Sequence, residues 1–306
     1  MPSSVSEVGG RGLSGNSRPY PVRAHGTPRM ELETRTVTLS GGLEFEVAAG
    51  DAIIGPAIER GAWADHETRL FRAHLAPGCR VVDLGANVGW FAVQGILAGA
   101  EVHAFEPVPA LAEICRRNMR RAERAGAGRG VLHACAAGAQ AGRARIAIAR
   151  ANLGDNRVLD PGSARPADMG EGETIEIEIV PLDARVEGPV RLLKLDTQGS
   201  EWLALQGARR LLEASPRMAL LMELWPYALR GAGAEELLRF LDERGFRLGK
   251  ATEAPYPMSP GRILRQALAR DPLRGGIDLY GTRGLPFHVA GWKARLHGMA
   301  RSLRED

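Results

Sequence analysis

From Arg80 onward the chain alternates between short runs of consecutive apolar residues and longer stretches in which apolar positions recur every three or four residues. The short runs suit strands covered on both faces, and the longer period suits helices that bury one stripe. The spacing predicts strand 80–84, helix 88–98, strand 101–105, helix 109–125, strand 131–135, a variable stretch with a second β signal at 174–180, strand 191–195, helix 200–213, strand 218–224 and helix 234–244. Phe246-Arg-Leu248 and Ile277-Asp-Leu-Tyr280 suit two last strands, with a Pro- and Arg-rich insertion between them. Regular strand-helix alternation implies an α/β fold whose mostly parallel sheet carries helices on both faces.

Upstream, Thr34 to Leu39 and Leu43 to Val47 alternate around Ser40-Gly41-Gly42, a hairpin signal, and lead into a helix expected over Trp63 to Leu75 that Pro77-Gly78 ends. Residues 1–33 are rich in Gly, Ser, Pro and Arg without a hydrophobic period and read as a disordered leader. The expected organisation is leader 1–33, hairpin and helix 34–76, main domain 77–284, and a basic tail or helix 285–306. With 306 residues, 44% of them hydrophobic, the chain can bury a large core. Its longest apolar run, Met218 to Trp225, is interrupted by Glu223 and is far shorter than a membrane span. No secretion signal is readable, and three cysteines without close pairing fit a reducing cytoplasm. A formal charge of +4, spread over scattered arginines, is best explained by solvated faces, with a nucleic-acid footprint a weak second, so no nucleic-acid or membrane partner is expected. The seven histidines show no metal-ligand spacing, so no zinc is expected.

The chemistry concentrates where the first strand turns into the first helix of the alternating region. Asp83-Leu-Gly-Ala-Asn-Val-Gly89 places Gly85 and Gly89 around a turn that lets a ligand approach the backbone, with helix N–H groups facing it. Glu106, twenty-three residues after Asp83, stands at the tip of the second strand, where a carboxylate can accept hydrogen bonds from two ribose hydroxyls. A dinucleotide turn would read G-x-G-x-x-G to receive a pyrophosphate; here Ala86-Asn87 follow the first glycine, and Asp83 would repel a pyrophosphate but attract a cationic ammonium. S-adenosylmethionine carries one. The competing reading is that Asp83 and Asn87 only cap the turn.

Asp83-Leu-Gly-Ala-Asn-Val-Gly-Trp-Phe91, Ala104-Phe-Glu-Pro-Val-Pro109 and Leu193-Lys-Leu-Asp-Thr-Gln-Gly-Ser-Glu201 together resemble the FkbM family of class I S-adenosylmethionine-dependent methyltransferases, over roughly Trp63 to Phe246. The third motif, followed by a helix with Gly207-Ala208, is the more specific; Gln198 departs from the family's commoner Glu. Met222-Glu-Leu-Trp-Pro226 resembles the family's next strand and loop. The resemblance implies a Rossmann-like class I methyltransferase sheet, mostly parallel with seven strands, S-adenosyl-L-methionine as cofactor, and transfer of its methyl to a hydroxyl of a sugar, glycan or polyketide-type acceptor. The cofactor residues it implies are Asp83, Gly85, Ala86, Asn87, Gly89, Glu106, Pro107, Ala136 and Asp196. Glu67 matches an acid common in the family that approaches the cofactor's amino end, although a solvated helix face explains it equally well.

In an open sheet of this kind ligands lie beyond the carboxyl ends of the strands, which directs attention to Asp83, Glu106, Ala136, Asp196 and Glu223. Asp196 and Glu223 are the candidate catalytic residues, either to orient or to deprotonate an acceptor hydroxyl. Asp196 could instead cap the helix after it, and Glu201 sits in that helix's first turn, where the dipole favours an acid. Lys194, inside a strand, suggests a buried ion pair with a nearby acid. Trp90, Trp225 and the loop Asn152 to Asn156 are candidate pocket walls. Magnesium bridging Asp196, Glu223 and a diol stays open but unsupported. The rival readings are an N-methyltransferase of the same fold, a non-catalytic protein that kept the fold, and a nicotinamide dehydrogenase, against which the missing G-x-G-x-x-G counts. A nucleic-acid base methyltransferase is disfavoured because Asp196-Thr-Gln-Gly199 stands where N-P-P-Y would be needed. The loops 150–173, 225–233 and 250–276 carry no motif that decodes the acceptor.

Overall fold

A computed structural model describes residues 31–273 and 275–287. The expected leader lies outside the described residues except for its last three, and so does the expected tail beyond residue 287.

The hairpin forms as β1 (Thr34–Thr38) and β2 (Glu44–Ala48), antiparallel with Thr34 opposite Ala48. Two short helices follow, α1 (Ile54–Glu59) and α2 (Asp65–Ala73). The first has no counterpart among the elements expected from the sequence. Asp51 starts it by accepting the N–H groups of Ile53, at 2.9 Å, and of Ile54. The alternating region runs β3 (Arg80–Leu84), α3 (Trp90–Leu97), β4 (Glu101–Phe105), α4 (Pro109–Ala125) and β5 (Arg129–His133). Next come β6 (Ala136–Ala137), β7 (Gly142–Ala147), β8 (Arg157–Val158) and β9 (Thr174–Val180). The rest is β10 (Leu192–Leu195), α5 (Glu201–Gln206), α6 (Arg209–Ala214), β11 (Met218–Leu224), α7 (Ala234–Glu243), β12 (Arg247–Lys250), α8 (Pro260–Leu268) and β13 (Ile277–Arg283).

Seven strands form one sheet in the order β12-β13-β11-β10-β3-β4-β5, parallel through its centre, with β13 antiparallel to both β11 and β12. This is the expected Rossmann-like α/β sheet. Alternation along each central strand feeds two apolar layers. Val81, Leu192 and Leu221 belong to the layer shared with the hairpin, α2, α3 and α4, whereas Val82, Leu193 and Leu220 belong to the layer under α5 to α8. Asp83, Lys194, Glu223 and Asp278 alternate onto the first of these faces, so polar groups cluster near the strand tips of an otherwise apolar surface. Glu46 and Asn118 fasten the hairpin: Asn118 Oδ1 accepts the Glu46 N–H at 2.7 Å, and Glu46 pairs with Arg117 and Arg121.

Three expectations need correction. The helix expected over 200–213 is two helices, because the Gly207 carbonyl turns aside to accept the Asp183 N–H at 2.9 Å, and the Asp183 carboxylate then caps α6 through the Arg210 and Leu211 N–H groups. The Pro- and Arg-rich insertion contains α8, with Pro260 in its first turn and Ile263 and Ala267 buried against the sheet's second layer. The variable stretch forms a separate four-stranded sheet, β6-β9-β7-β8, whose antiparallel β7–β9 ladder joins Gly142 to Ile179. That ladder depends on pairing across some thirty residues of intervening chain, a non-local contact without a local periodic signature.

Candidate active site

Three neighbouring cavities open beyond the carboxyl ends of β3, β4, β10 and β11. The narrow one, about 50 Å³, runs beneath the four-stranded sheet and is lined by Gly85, Asn87, Glu106, Pro107, Ala136 and Asp196, with Phe105, Cys135, Ile146 and Val158 as apolar walls. The second, about 350 Å³, is bounded by Gly85, Ala86, Asn87, Asp155, Asp196, Gln198, Glu223 and Trp225. The third, about 300 Å³, shares Trp63, Phe91, Lys194, Asp196, Gln198 and Glu223 with the second and adds Glu67 and Asp278. The sequence points to Gly85, Ala86, Asn87, Glu106, Pro107, Ala136, Asp196 and Glu223 as one site, and the fold does bring them together. Asp83 and Gly89 lie behind these walls.

The turn after β3 holds Gly85 at φ 75° and Asn87 at φ 52°. Gly85 is fixed by crowding as well as by φ: a Cβ there would lie 1.9 Å from the Asp196 carbonyl oxygen. Asn87 does not merely cap the turn. Its Nδ2 donates to the Leu153 carbonyl at 2.8 Å, tying the turn to the loop 152–156 across the cavities. Gly89 faces the Cys115 sulfur, where a Cβ would sit at 2.9 Å, so its place is set by packing against α4. Glu106 accepts the Asn87 N–H at 2.8 Å on one oxygen and the Val108 N–H at 2.9 Å on the other. Burial pushes its carboxyl up to about 7 in spite of both bonds. Asp83 is fully buried; no side chain bonds to its oxygens, and the Ala92 N–H in the first turn of α3 is the one donor that favours its charge. Burial raises it to about 6, against the attraction of Lys194.

Lys194 forms the expected ion pair: its Nζ lies 3.0 Å from Asp196 Oδ2 and 4.6 Å from the centre of the Phe91 ring. Burial opposes its charge, but Asp196 and Asp83 outweigh that and hold its pKa above the usual lysine value. Asp196 is not a helix cap. No side chain caps α5, and the turn before it is held by Glu201, whose Oε1 accepts the Thr197 N–H and hydroxyl, each at 2.9 Å. Glu201 is thereby a buried structural acid. Glu223 accepts the Gly276 N–H at 2.9 Å, and burial, then the nearby Asp196 charge, raises it to about 7.

Glu67 projects from α2 into the third cavity, where it lies near Asp278. Asp278 is exposed at the cavity wall, yet the protein packed around it, and then the Glu67 and Glu223 carboxylates, raise its pKa above the ordinary range. It sits directly opposite Glu223 in the β11–β13 register. Sequence reasoning misses Asp278 because β13 runs antiparallel, so the start of that strand, not its end, lies at this edge. An acid inside Ile277-Asp-Leu-Tyr280 is the available signal. Trp90 and Trp225 border the second cavity but are almost wholly buried, donating to Thr68 Oγ1 at 2.9 Å and to the Pro272 carbonyl at 3.0 Å. No group of His, Cys, Asp and Glu among the described residues has a metal-site arrangement, and no described helix is long and apolar enough to cross a membrane.

An open α/β sheet with acids at its strand tips and a glycine turn over a cleft defines the class I methyltransferase architecture. The methyltransferase FkbM domain matches residues 83–248, more than half of the chain, and the protein belongs to the FkbM methyltransferase family, with S-adenosylmethionine as its cofactor. Among solved structures, a methyltransferase FkbM from Methylobacillus flagellatus KT is 21% identical over 67% of this chain, with a TM-score of 0.42. This chain spans only 43% of that protein's length. The magnesium protoporphyrin IX methyltransferase of Synechocystis PCC 6803, with bound SAM, is 13% identical over 76% of this chain and 85% of its own, with a TM-score of 0.42. A TehB-like SAM-dependent methyltransferase from Corynebacterium glutamicum is 14% identical over 75% of this chain and 92% of its own, with a TM-score of 0.38. No curated protein matches the chain in sequence.

Proposed function

We propose that the protein transfers a methyl group from S-adenosylmethionine to a hydroxyl of a small molecule, a sugar, glycan or polyketide-type compound. The observation that carries this reading is that the narrow slot shares walls with the two wider cavities, Gly85 and Asn87 with the second and Asp196 and Gln198 with both.

The slot's lining suits the cofactor's adenosine, and at about 50 Å³ the slot must widen to admit it. Its Phe105, Cys135, Ile146 and Val158 walls suit a purine, and Glu106 suits a ribose. A carboxylate offers about four acceptor positions, and Glu106 uses two on backbone N–H groups, which leaves two for a pair of hydroxyls. The turn Gly85-Ala86-Asn87, with the buried Asp83 charge behind it, suits the cationic end. When bound, the cofactor supplies a methyl group already activated for in-line displacement, so that most of the rate is available from positioning.

The chain's own residues then have three tasks. The loop 152–156 and the Asn87–Leu153 bond narrow the opening and exclude water. Trp63, half-buried at the edge of both wider cavities, supplies a face against which an acceptor ring can lie. Asp196 or Glu223 accepts the hydroxyl proton as the oxygen forms its bond to carbon. Three free cysteines and a scattered positive charge support a cytoplasmic protein without nucleic-acid or membrane partners. One observation favours a second reading, N-methylation: four acids, Glu67, Asp196, Glu223 and Asp278, line the third cavity against one cation, Lys194, a setting that attracts a protonated amine.

Calorimetric titration with S-adenosylhomocysteine, with NADH as the control, tests the cofactor site in the wild type and in Asp83→Ala and Glu106→Ala. Binding of the former that is lost in both variants is the expected result, and a preference for NADH would refute the proposal. A labelled-methyl screen with matched alcohols and amines then separates O- from N-transfer.

A further inference from the structure

Gln198 occupies an unusual place. Its backbone is left-handed at φ 50°, a conformation that costs a residue other than glycine about 1 kcal/mol or more. Among the described residues three non-glycine residues have positive φ, Ala64, Asn87 and Gln198, and each borders one of the cavities. Strain of this kind persists where the surroundings over-determine it.

The side chain shows what holds Gln198 there. Its Nε2 lies 2.8 Å from Asp196 Oδ1 and 3.0 Å from Glu223 Oε2. Both partners are carboxylates, so the amide must present its nitrogen and not its oxygen. The far oxygens are also engaged: Asp196 Oδ2 with Lys194 Nζ at 3.0 Å, and Glu223 Oε1 with the Gly276 N–H at 2.9 Å. Two carboxylates from adjacent strands therefore converge on one point, and a neutral double donor stands at that point. Convergent carboxylate oxygens are what a hard divalent cation requires.

We propose that Gln198 takes the place of a bridging divalent cation, aligning Asp196 and Glu223 toward the acceptor cavity and making the site independent of metal. The same geometry makes the two acids unequal. Asp196 already holds an ammonium, whereas Glu223 receives bonds from neutral donors alone. Glu223 is therefore the proton acceptor, and Gln198 is the residue that positions it. The metal half of the proposal stands on these distances alone; the proton-transfer half rests on the methyltransferase reading.

The test is Gln198→Glu in the full chain. It replaces the donor with a third carboxylate at the convergence point and should create a cation site. Free Mn²⁺ followed by electron paramagnetic resonance should show about one ion bound per chain in Gln198→Glu, about tenfold or more tighter than in wild type, and lost again in Gln198→Glu/Glu223→Gln. Wild type that binds Mn²⁺ and loses it in Glu223→Gln would overturn the proposal, as would Gln198→Glu that binds no more tightly than wild type. Thermal unfolding and S-adenosylhomocysteine titration of each variant show whether it has folded; Gln198→Met, which cannot ligate through a carboxylate, is the second variant and should remain blind to Mn²⁺. Absence of S-adenosylhomocysteine binding in wild type would remove the methyltransferase reading without touching the Mn²⁺ result. With an acceptor in hand, wild-type turnover should be unaffected by EDTA. Gln198→Met should lose kcat at an unchanged KM for the methyl donor, and Mn²⁺ should restore turnover to Gln198→Glu alone.

Discussion

Replacing Asp83 by Asn should stabilise the ligand-free protein while weakening its hold on the cofactor. Asp83 is wholly buried, no side chain bonds to its oxygens, and burial lifts its pKa from 3.8 to about 6 in spite of Lys194 and the Ala92 N–H. An acid whose folded pKa lies above its unfolded value binds more protons when folded, so stability falls as pH rises through the window from 3.8 to about 6. Above that window the charged carboxylate costs the fold about 3 kcal/mol, since each tenfold change in proton affinity is worth about 1.36 kcal/mol; at pH 4.5 the cost is about 1 kcal/mol. Asn carries no charge at either pH and keeps nearly the same shape. Denaturant unfolding at pH 8 should therefore show Asp83→Asn more stable by about 3 kcal/mol, or roughly 6–12 °C in Tm, with the advantage falling to about 1 kcal/mol at pH 4.5. S-adenosylhomocysteine affinity should drop in the same variant, the usual relation between a strained functional group and stability. A variant no more stable than wild type at pH 8, or an advantage that ignores pH, would refute the assignment of Asp83 as an unsolvated anion.

Other perturbations test neighbouring parts of the site. Gly85→Ala forces a Cβ to 1.9 Å from the Asp196 carbonyl at a φ of 75°; left-handed strain of about 1–2 kcal/mol and backbone displacement of about 1–3 kcal/mol should add, whereas Gly142→Ala, with open space around it, should change unfolding little. Lys194→Met leaves Asp196 and Asp83 without their cation and should cost about 2–4 kcal/mol, less than for a fully buried pair because Asp196 is partly exposed. In the Asp83→Asn background that cost should shrink, since one of the two stranded acids is gone; strict additivity in the double-mutant cycle would show that the groups do not interact.

Local signals carry much of the architecture. The apolar runs at 80–84, 101–105 and 218–224 are long enough, and flanked by clear enough turns, to specify strands by themselves, and the acids at or just beyond their carboxyl ends mark the reactive edge. Residues 200–213 read as one continuous helix because their apolar period survives the break; only Asp183, arriving from a distant turn, draws the Gly207 carbonyl out of the ladder. Asp278 escapes a sequence reading for a related reason, since strand direction decides which end of a strand faces the cleft, and direction is a property of the assembled sheet.

The sequence alone determined the sheet class, the glycine turn, the position of Glu106 and the presence of a cation inside the fourth strand of the alternating series, because each follows from steric and polar preferences acting over a few residues. Tertiary structure decided which carboxylate pairs with Lys194 and that the Gln198 amide joins Asp196 to Glu223. Those outcomes depend on side chains from separate strands and helices meeting within about 3 Å, and hydrogen bonds and charges act at that range only after the chain has folded to bring them there.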